Sequence, residues 1–285
     1  MEYRVVGKSY PRHESYSKVT GQAIYTGDIR LPGMAYGALL RSPHAHARVL
    51  NMDTGEAMNT PGVLGVLLPQ DVPQTLFNSS GNPPSPILIK SERILTDHPL
   101  HVGDRVAAVV AESPRACRAA LEKIKVEYEG LPAVFKIKAA LAKGASLVRP
   151  DLGDSNIVKT ITARQGDVDA GFAESDFVFS DEFFAPSVQH VALEPIGCVC
   201  HFTSAGKLTI WSTSQTPFQE RRILSELLDM PESDIRIVKP AMGGGFGARQ
   251  QLHFQHVGAL LSKRINRPVK MRYLASSFPT KRLVR

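Results

Sequence analysis

A chain of 285 residues with 43% hydrophobic and 21% charged side chains is long enough for one large core or two ordinary ones, and too apolar to be disordered. It holds no apolar run of about 18 residues, which excludes a helical membrane span, and its three cysteines have neither the number nor the spacing of a disulfide framework or zinc site. The net charge of +7 is unevenly placed: no acid follows Asp234, while eleven Lys and Arg fall between Arg236 and Arg285. Such a one-sided segment implies an anionic ligand or an acidic partner nearby. A nucleic-acid partner is not expected, because interleaved aromatics and a recognition motif are both missing. The opening residues lack the apolar core of a secretion signal, so a cytoplasmic location is expected.

In chain order, short apolar runs bounded by Pro and Gly predict strands at 36–40, 62–68 and 105–110. Ser113, a good N-cap, and Pro114 at the first helical position open a helix to Ile124. A strand at 126–128 closes this α/β unit before Gly130-Leu131-Pro132. The density of Pro, Ser and Asn between Pro69 and Pro99 marks a surface excursion, and residues 131 to about 160 read as a connector between two segments that fold semi-independently. Longer β runs are expected at 177–184 and 188–202, where alternation puts Cys198 and Cys200 on one face. Thr203-Ser204-Ala205-Gly206 turns the chain into a hairpin strand at 208–212. Thr216-Pro217-Phe218-Gln219 has the pattern of a capping box, opening a helix with Ile223, Leu224, Leu227 and Leu228 on one stripe. A strand at 235–238, a glycine loop and a helix over about 250–265 complete the reading. His253 and His256 share a face of that helix and are read as packing or surface residues.

The loop Ala241-Met242-Gly243-Gly244-Gly245-Phe246-Gly247-Ala248-Arg249 lies between a strand and a helix. Bare backbone lets a ligand approach closely, and amides at a helix start favour an anion. Gly243-x-Gly245-x-x-Ala248 fits a dinucleotide fingerprint, yet the ribose-binding acid roughly 20 residues on is missing. A P-loop is excluded by Ala248 at the position of its second glycine. On physics alone the loop serves equally as an anion site and as a tight structural turn.

Met242 to Gly247 resembles the MGGGFGG loop of the molybdenum hydroxylases, the xanthine dehydrogenase and aldehyde oxidase family. Ser212-Thr213-Ser214-Gln215-Thr216 resembles their ST-Q segment, and His190-Val191-Ala192-Leu193-Glu194-Pro195 their H-x-x-LEP stretch. Val19 to Asp28 and Arg41-Ser42-Pro43-His44-Ala45 are similar to the opening of the family's a/b-hammerhead domain. The resemblance implies an α+β chain: a hammerhead domain at 18–130, then the amino-terminal part of a molybdopterin-binding domain at 145–285, with long antiparallel strands. It also implies that Gln215 hydrogen-bonds an oxo ligand of molybdenum and that Gly244, Gly245 and Phe246 contact the metal side of the pterin, here in its cytosine dinucleotide form. In this family a water-derived oxygen is added to an electron-poor carbon of an aldehyde or N-heterocycle, and electrons leave through iron–sulfur clusters to flavin (FAD) on partner subunits. The resemblance supplies no direct metal ligand from the protein.

Departures from the pattern matter too. The family's general-base glutamate lies far towards the carboxyl end of a longer subunit, so the base is expected beyond Arg285. Val269-Lys270-Met271-Arg272-Tyr273 matches a family segment, whereas Leu274 to Arg285 reads as a foreign tail, and a truncated subunit without activity of its own is the expectation. A non-catalytic assembly or subunit-docking module is the alternative. Gln250 stands on the substrate side, four residues after Phe246, where purine-oxidising members carry a glutamate.

Overall fold

The computed structural model describes residues 3–80 and 89–273, so the expected tail at 274–285 lies outside the described residues. Nine strands are β1 Ala35–Arg41, β2 Ala47–Asp53, β3 Val63–Leu67, β4 Arg105–Ala111, β5 Lys125–Gly130, β6 Gly197–Phe202, β7 Leu208–Ser212, β8 Ile235–Val238 and β9 Val269–Arg272. Helices are α1 Ser15–Val19, α2 Gly55–Met58, α3 Pro114–Leu121, α4 Ile137–Ala140, α5 Val168–Glu174, α6 Pro217–Leu228 and α7 Gln255–Ile265.

Seven strands form one sheet in the order β3-β4-β1-β9-β6-β7-β8, and β2 pairs with β5 in a small second sheet. β1 lies parallel to β9 and β7 parallel to β8, while the remaining pairs are antiparallel. The β1–β9 pairing places strands from the two ends of the sequence side by side, with Ala35 opposite Val269. The two segments expected to fold semi-independently therefore share a sheet. The parallel β7–β8 pair is joined by α6, as a crossover connection requires. β4 reads as a continuous apolar run because it is inner in the sheet: Val106 to Ala111 are all at 0% exposure.

Local chemistry explains the helix ends. Ser113 caps α3 by accepting from the Ala116 amide at 3.1 Å. The capping box expected at Thr216 is not formed. Pro217 opens α6 as predicted, but the Thr216 hydroxyl donates to the carbonyl of Gln250 at 3.3 Å and makes no cap bond. The α7 helix starts at Gln255 rather than near Gln250, because the Gln255 carboxamide oxygen accepts from the amides of His253 and Phe254 and so ends the preceding turns. Its Gly258 rests on β6, where an added Cβ would sit 2.8 Å from the Cys200 sulfur. Cys198 and Cys200 do share one face, with both thiols buried and their sulfurs 3.7 Å apart.

The chain divides into a larger unit, residues 1–130 with 192–285, and a smaller one, residues 131–191. All nine strands belong to the larger. In the smaller unit, α5 is capped by Asp167, which accepts from the Ala170 amide. The strand expected at 177–184 does not form, and of the run expected at 188–202 only Gly197–Phe202 is a strand. A strand is held by its neighbours, and here Phe177, Phe179, Phe183 and Phe184 stand 81–91% exposed with no ladder to join.

The α7 contact supplies a test. Gly258→Val removes a helix-weakening glycine but forces carbon against Cys200 Sγ and Met271 Sδ, the latter 3.4 Å from the added Cβ. We expect overpacking to win and to lower unfolding stability by about 1–3 kcal/mol in urea titrations followed by circular dichroism; unchanged stability would contradict the packing described.

Candidate functional site

Two connections meet at the site: the turn between β7 and α6, which carries Gln215, and the loop from β8 towards α7, which carries Gly243 to Arg249. They are stitched together by main-chain bonds. The Gln215 amide donates to the Arg249 carbonyl at 2.8 Å, and the Arg249 amide donates to Gln215 Oε1 at 3.2 Å. Thr216 adds its bond to Gln250, so the hydroxyl diverted from helix capping serves this junction.

The glycines are required by closeness of approach. A Cβ on Gly245 would lie 2.7 Å from the Gln215 carboxamide carbon, and one on Gly243 would lie 2.6 Å from Glu194 Cβ. Gly244 and Gly247 have φ of +102° and +85°, a region side chains rarely enter. Phe246 has a φ of +50° as a non-glycine residue, and its ring is 72% exposed. Within the loop, Ala248 donates to Gly245 O and Gln250 to Gly247 O. Among the described residues the amides of Gly244, Gly245, Phe246 and Gly247 meet no acceptor, and neither does Gln215 Nε2. Consecutive N–H groups without an acceptor, three of the four on glycine, are a donor set suited to an oxygen-rich anion.

Under the loop lies an ion pair. Arg249, 1% exposed, donates from Nη1 to Glu194 Oε2 at 2.8 Å and from Nη2 to the Glu194 carbonyl. Glu194 Oε2 also accepts from the Gly243 amide at 2.8 Å, and the Glu194 amide donates to the Gly243 carbonyl at 3.2 Å. One glutamate thus holds both ends of the loop. The resemblance singled out Glu194 only as part of a motif and did not single out Arg249.

A second buried carboxylate supports the Gln215 side. Glu220, on α6, accepts from the Ser212 hydroxyl at 3.1 Å, and the nearby Ser214 favours its charged form as well. The Gln255 carboxamide donates to Ser212 at 3.0 Å, and Ser214 accepts from the Thr216 amide at 3.1 Å. Burial pushes the Glu220 carboxyl up to about 7, against the lowering effect of the two serines. Its signal was present in the sequence: residue 220 falls on the apolar stripe of Ile223, Leu224 and Leu227. The two histidines divide as packing residues. His256 is fully buried against Phe77, and burial holds it well below the usual histidine range. His253 Nε2 donates to the Ala248 carbonyl, 2.7 Å away. Gln250 keeps its side chain exposed. The structure therefore brings Gln215, Gly244, Gly245 and Phe246 together, with Gln250 at the edge of the same loop.

Set against known proteins, the chain matches the aldehyde oxidase and xanthine dehydrogenase a/b hammerhead domain over residues 20–132 and the molybdopterin cofactor-binding domain over residues 150–277. It is 34% identical to the nicotinate dehydrogenase large molybdopterin subunit of Eubacterium barkeri, over 95% of this chain and 61% of that one. It is 32% identical to a xanthine dehydrogenase molybdenum-binding subunit of Escherichia coli, over 91% and 35% respectively. Among solved structures, quinoline 2-oxidoreductase from Pseudomonas putida 86 superposes with a TM-score of 0.85 at 31% identity, covering 95% of this chain and 35% of that chain. The aldehyde oxidoreductase of Desulfovibrio gigas gives 0.84 at 28% identity, covering 94% and 30%. The chain spans about a third of most of these relatives, and 61% of the first.

Two outcomes are expected. Removing one partner of the buried pair, in Arg249→Met or Glu194→Gln, strands the other, so each should cost about 3–5 kcal/mol; a double-mutant cycle with strictly additive losses would deny the clamp. For Glu220, a folded value of about 7 against an ordinary 4.5 means that its contribution is fully present below about 4.5 and lost as pH rises through about 7. Glu220→Gln should therefore gain stability relative to the parent by on the order of 3 kcal/mol between pH 4.5 and 8, read as the difference between two denaturation profiles; parallel profiles would refute it.

Proposed function

Because the chain belongs to the molybdenum hydroxylase family of molybdopterin-binding large subunits, we propose that Gln215, Gly244, Gly245 and Phe246 hold the metal side of a molybdenum–molybdopterin cofactor. One observation carries the reading. The amides of 244–247 and Gln215 Nε2 have no acceptor among the described residues, on a backbone that is glycine at three of those four loop positions and that touches the Gln215 carboxamide at Gly245. That donor set fits an anionic, oxygen-bearing group and offers it no protein ligand for the metal.

The roles follow from the bonds already made. Since the Arg249 amide must donate, Gln215 Oε1 is the accepting atom, and Nε2 is left to donate towards the cofactor. The Glu194–Arg249 pair fixes the loop before anything binds, so the donors need no reorganisation. When bound, the cofactor supplies the redox chemistry, removing an electron pair from a substrate carbon that gains oxygen from water. The protein's part is binding and orientation. Glu194 is committed to Arg249 and Gly243, so the base is proposed to come from polypeptide other than this chain.

The proposed substrates are aldehydes or N-heterocycles other than purines. Gln250 offers an amide where a carboxylate could share a ring proton as charge develops. Electrons are proposed to pass to an iron–sulfur subunit and an FAD subunit, the pterin to be the cytosine dinucleotide form, and the location to be cytoplasmic. No helix among the described residues is long and apolar enough to cross a membrane. A second reading, a non-catalytic assembly or docking module, is favoured by the smaller unit's phenylalanines, with Phe179 at 91% exposure.

Molybdenum per chain and dye reduction by aldehydes test these readings. Alone, residues 1–285 should hold little molybdenum and show no turnover; joined to the segments that its longer relatives carry beyond the matched region, the protein should bind it near stoichiometrically. There Gln215→Ala should lower turnover about 10²-fold, and an aromatic aldehyde should exceed hypoxanthine by at least about tenfold. An active assembly without molybdenum would overturn the cofactor assignment, and comparable turnover of both substrates would overturn the role given to Gln250.

A further inference from the structure

Away from the glycine loop, the larger unit carries a half-open cavity of about 660 Å³, within the range of small-molecule sites. None of Gln215, the 243–247 residues or Gln250 lines it. Its wall carries Arg30, Arg41, Arg118, Lys270 and Arg272, and no aspartate or glutamate. Its body is apolar, with Tyr36, Leu39, Leu121 and Phe254 among the lining residues.

Of the five, Lys270 is buried, Arg41 half-buried and Arg30, Arg118 and Arg272 exposed, and they differ from cations elsewhere in the fold that meet a carboxylate. Arg249 meets Glu194, Arg267 meets Glu112 and Arg105 meets Glu92. Among the described residues, none of the five around the cavity has a carboxylate within ion-pair distance. Two are nevertheless held in fixed positions. Arg41 donates to the Gly103 carbonyl at 2.6 Å and to the Tyr273 hydroxyl at 2.9 Å, with its guanidinium 5.1 Å from the centre of the Tyr273 ring. Lys270, 8% exposed, donates to the carbonyls of Gly27 and Ile29 at 3.0 and 2.6 Å, which leaves one ammonium hydrogen unspent. Burial, with Arg30 and Arg272 repelling and Asp28 opposing, pulls Lys270 down to about 8. Asp28 offsets part of that repulsion but forms no ion pair with Lys270.

Like charges placed around a low-dielectric wall repel one another and attract a counter-ion. The apolar body would gain nothing from a bare inorganic ion, and the cationic wall nothing from a neutral hydrocarbon. We propose that this cavity is a second binding site, for an organic anion whose carboxylate or phosphate is carried on an apolar body the size of an aromatic ring. The site also accounts for part of the acid-free basic stretch after Asp234, since Lys270 and Arg272 belong to it. It stands independently of the cofactor reading.

Isothermal titration of the 285-residue chain with phenyl phosphate tests the proposal, with inorganic phosphate and benzyl alcohol as the two half-ligands. Saturable binding of one phenyl phosphate per chain is expected, at least about tenfold tighter than either half-ligand and weakened by salt. Arg118 is exposed on α3, so Arg118→Gln leaves the fold intact and should weaken binding severalfold; Arg41→Gln, with folding checked by circular dichroism, should weaken it about tenfold. Absence of saturable binding, equal affinity for benzyl alcohol, or affinities unchanged in Arg118→Gln would each overturn the site.

Discussion

The bond between Glu194 and Arg249 governs the rest of the site because it solves two problems at once. An arginine at 1% exposure is tolerable only if its charge is met. Glu194 meets the charge with its carboxylate and uses a further donor with its own carbonyl. The same carboxylate reaches the amide of Gly243, six positions before Arg249. A loop pinned at both ends by one side chain can afford four glycines, whose freedom would otherwise leave it without a defined shape. The entropy cost of ordering that loop is met on folding.

The Gln215 side is built on a different principle. There the support is a run of hydroxyls and a carboxyl, Ser212, Ser214 and Glu220, closed by Gln255 from the start of α7. A buried carboxyl raised to about 7 is a weaker anchor than an ion pair, but it is the one that fits where no cation reaches. The two supports meet at Gln215 and Arg249, which exchange main-chain and side-chain bonds. Disturbance of either therefore reaches the same pair of atoms.

Most of the sheet was legible in the sequence, since apolar runs bounded by Pro and Gly coincide with β1, β3, β4, β7 and β8. β2 was not, because its seven residues alternate weakly and Arg48, Leu50 and Asn51 face solvent. The runs at 177–196 failed for the converse reason: their side chains favour strands, but strand formation depends on a neighbour that local pattern cannot report. The glycine loop and Gln215 were visible through their resemblance to a family. Arg249 was not, because a basic residue after a glycine turn reads as surface charge until burial is known. Thr216 shows the same limit from the other direction. Its sequence satisfies a capping box, and the fold spends the hydroxyl on Gln250.

Glycine in this loop also separates two explanations that sequence leaves equal, a tight turn and an anion site. A turn alone needs positive φ at single positions, which Gly244 and Gly247 supply. It does not need Gly243 and Gly245, whose φ values are not positive and whose missing Cβ atoms make room for Glu194 and the Gln215 carboxamide. Those two contacts serve the shape of the surface rather than the path of the chain. A turn would also tend to close its own amides, whereas here those of residues 244–247 have no acceptor among the described residues. Donors left open in this way can bond water in the isolated chain, and an acceptor arriving from outside meets them without any bond within the loop having to break.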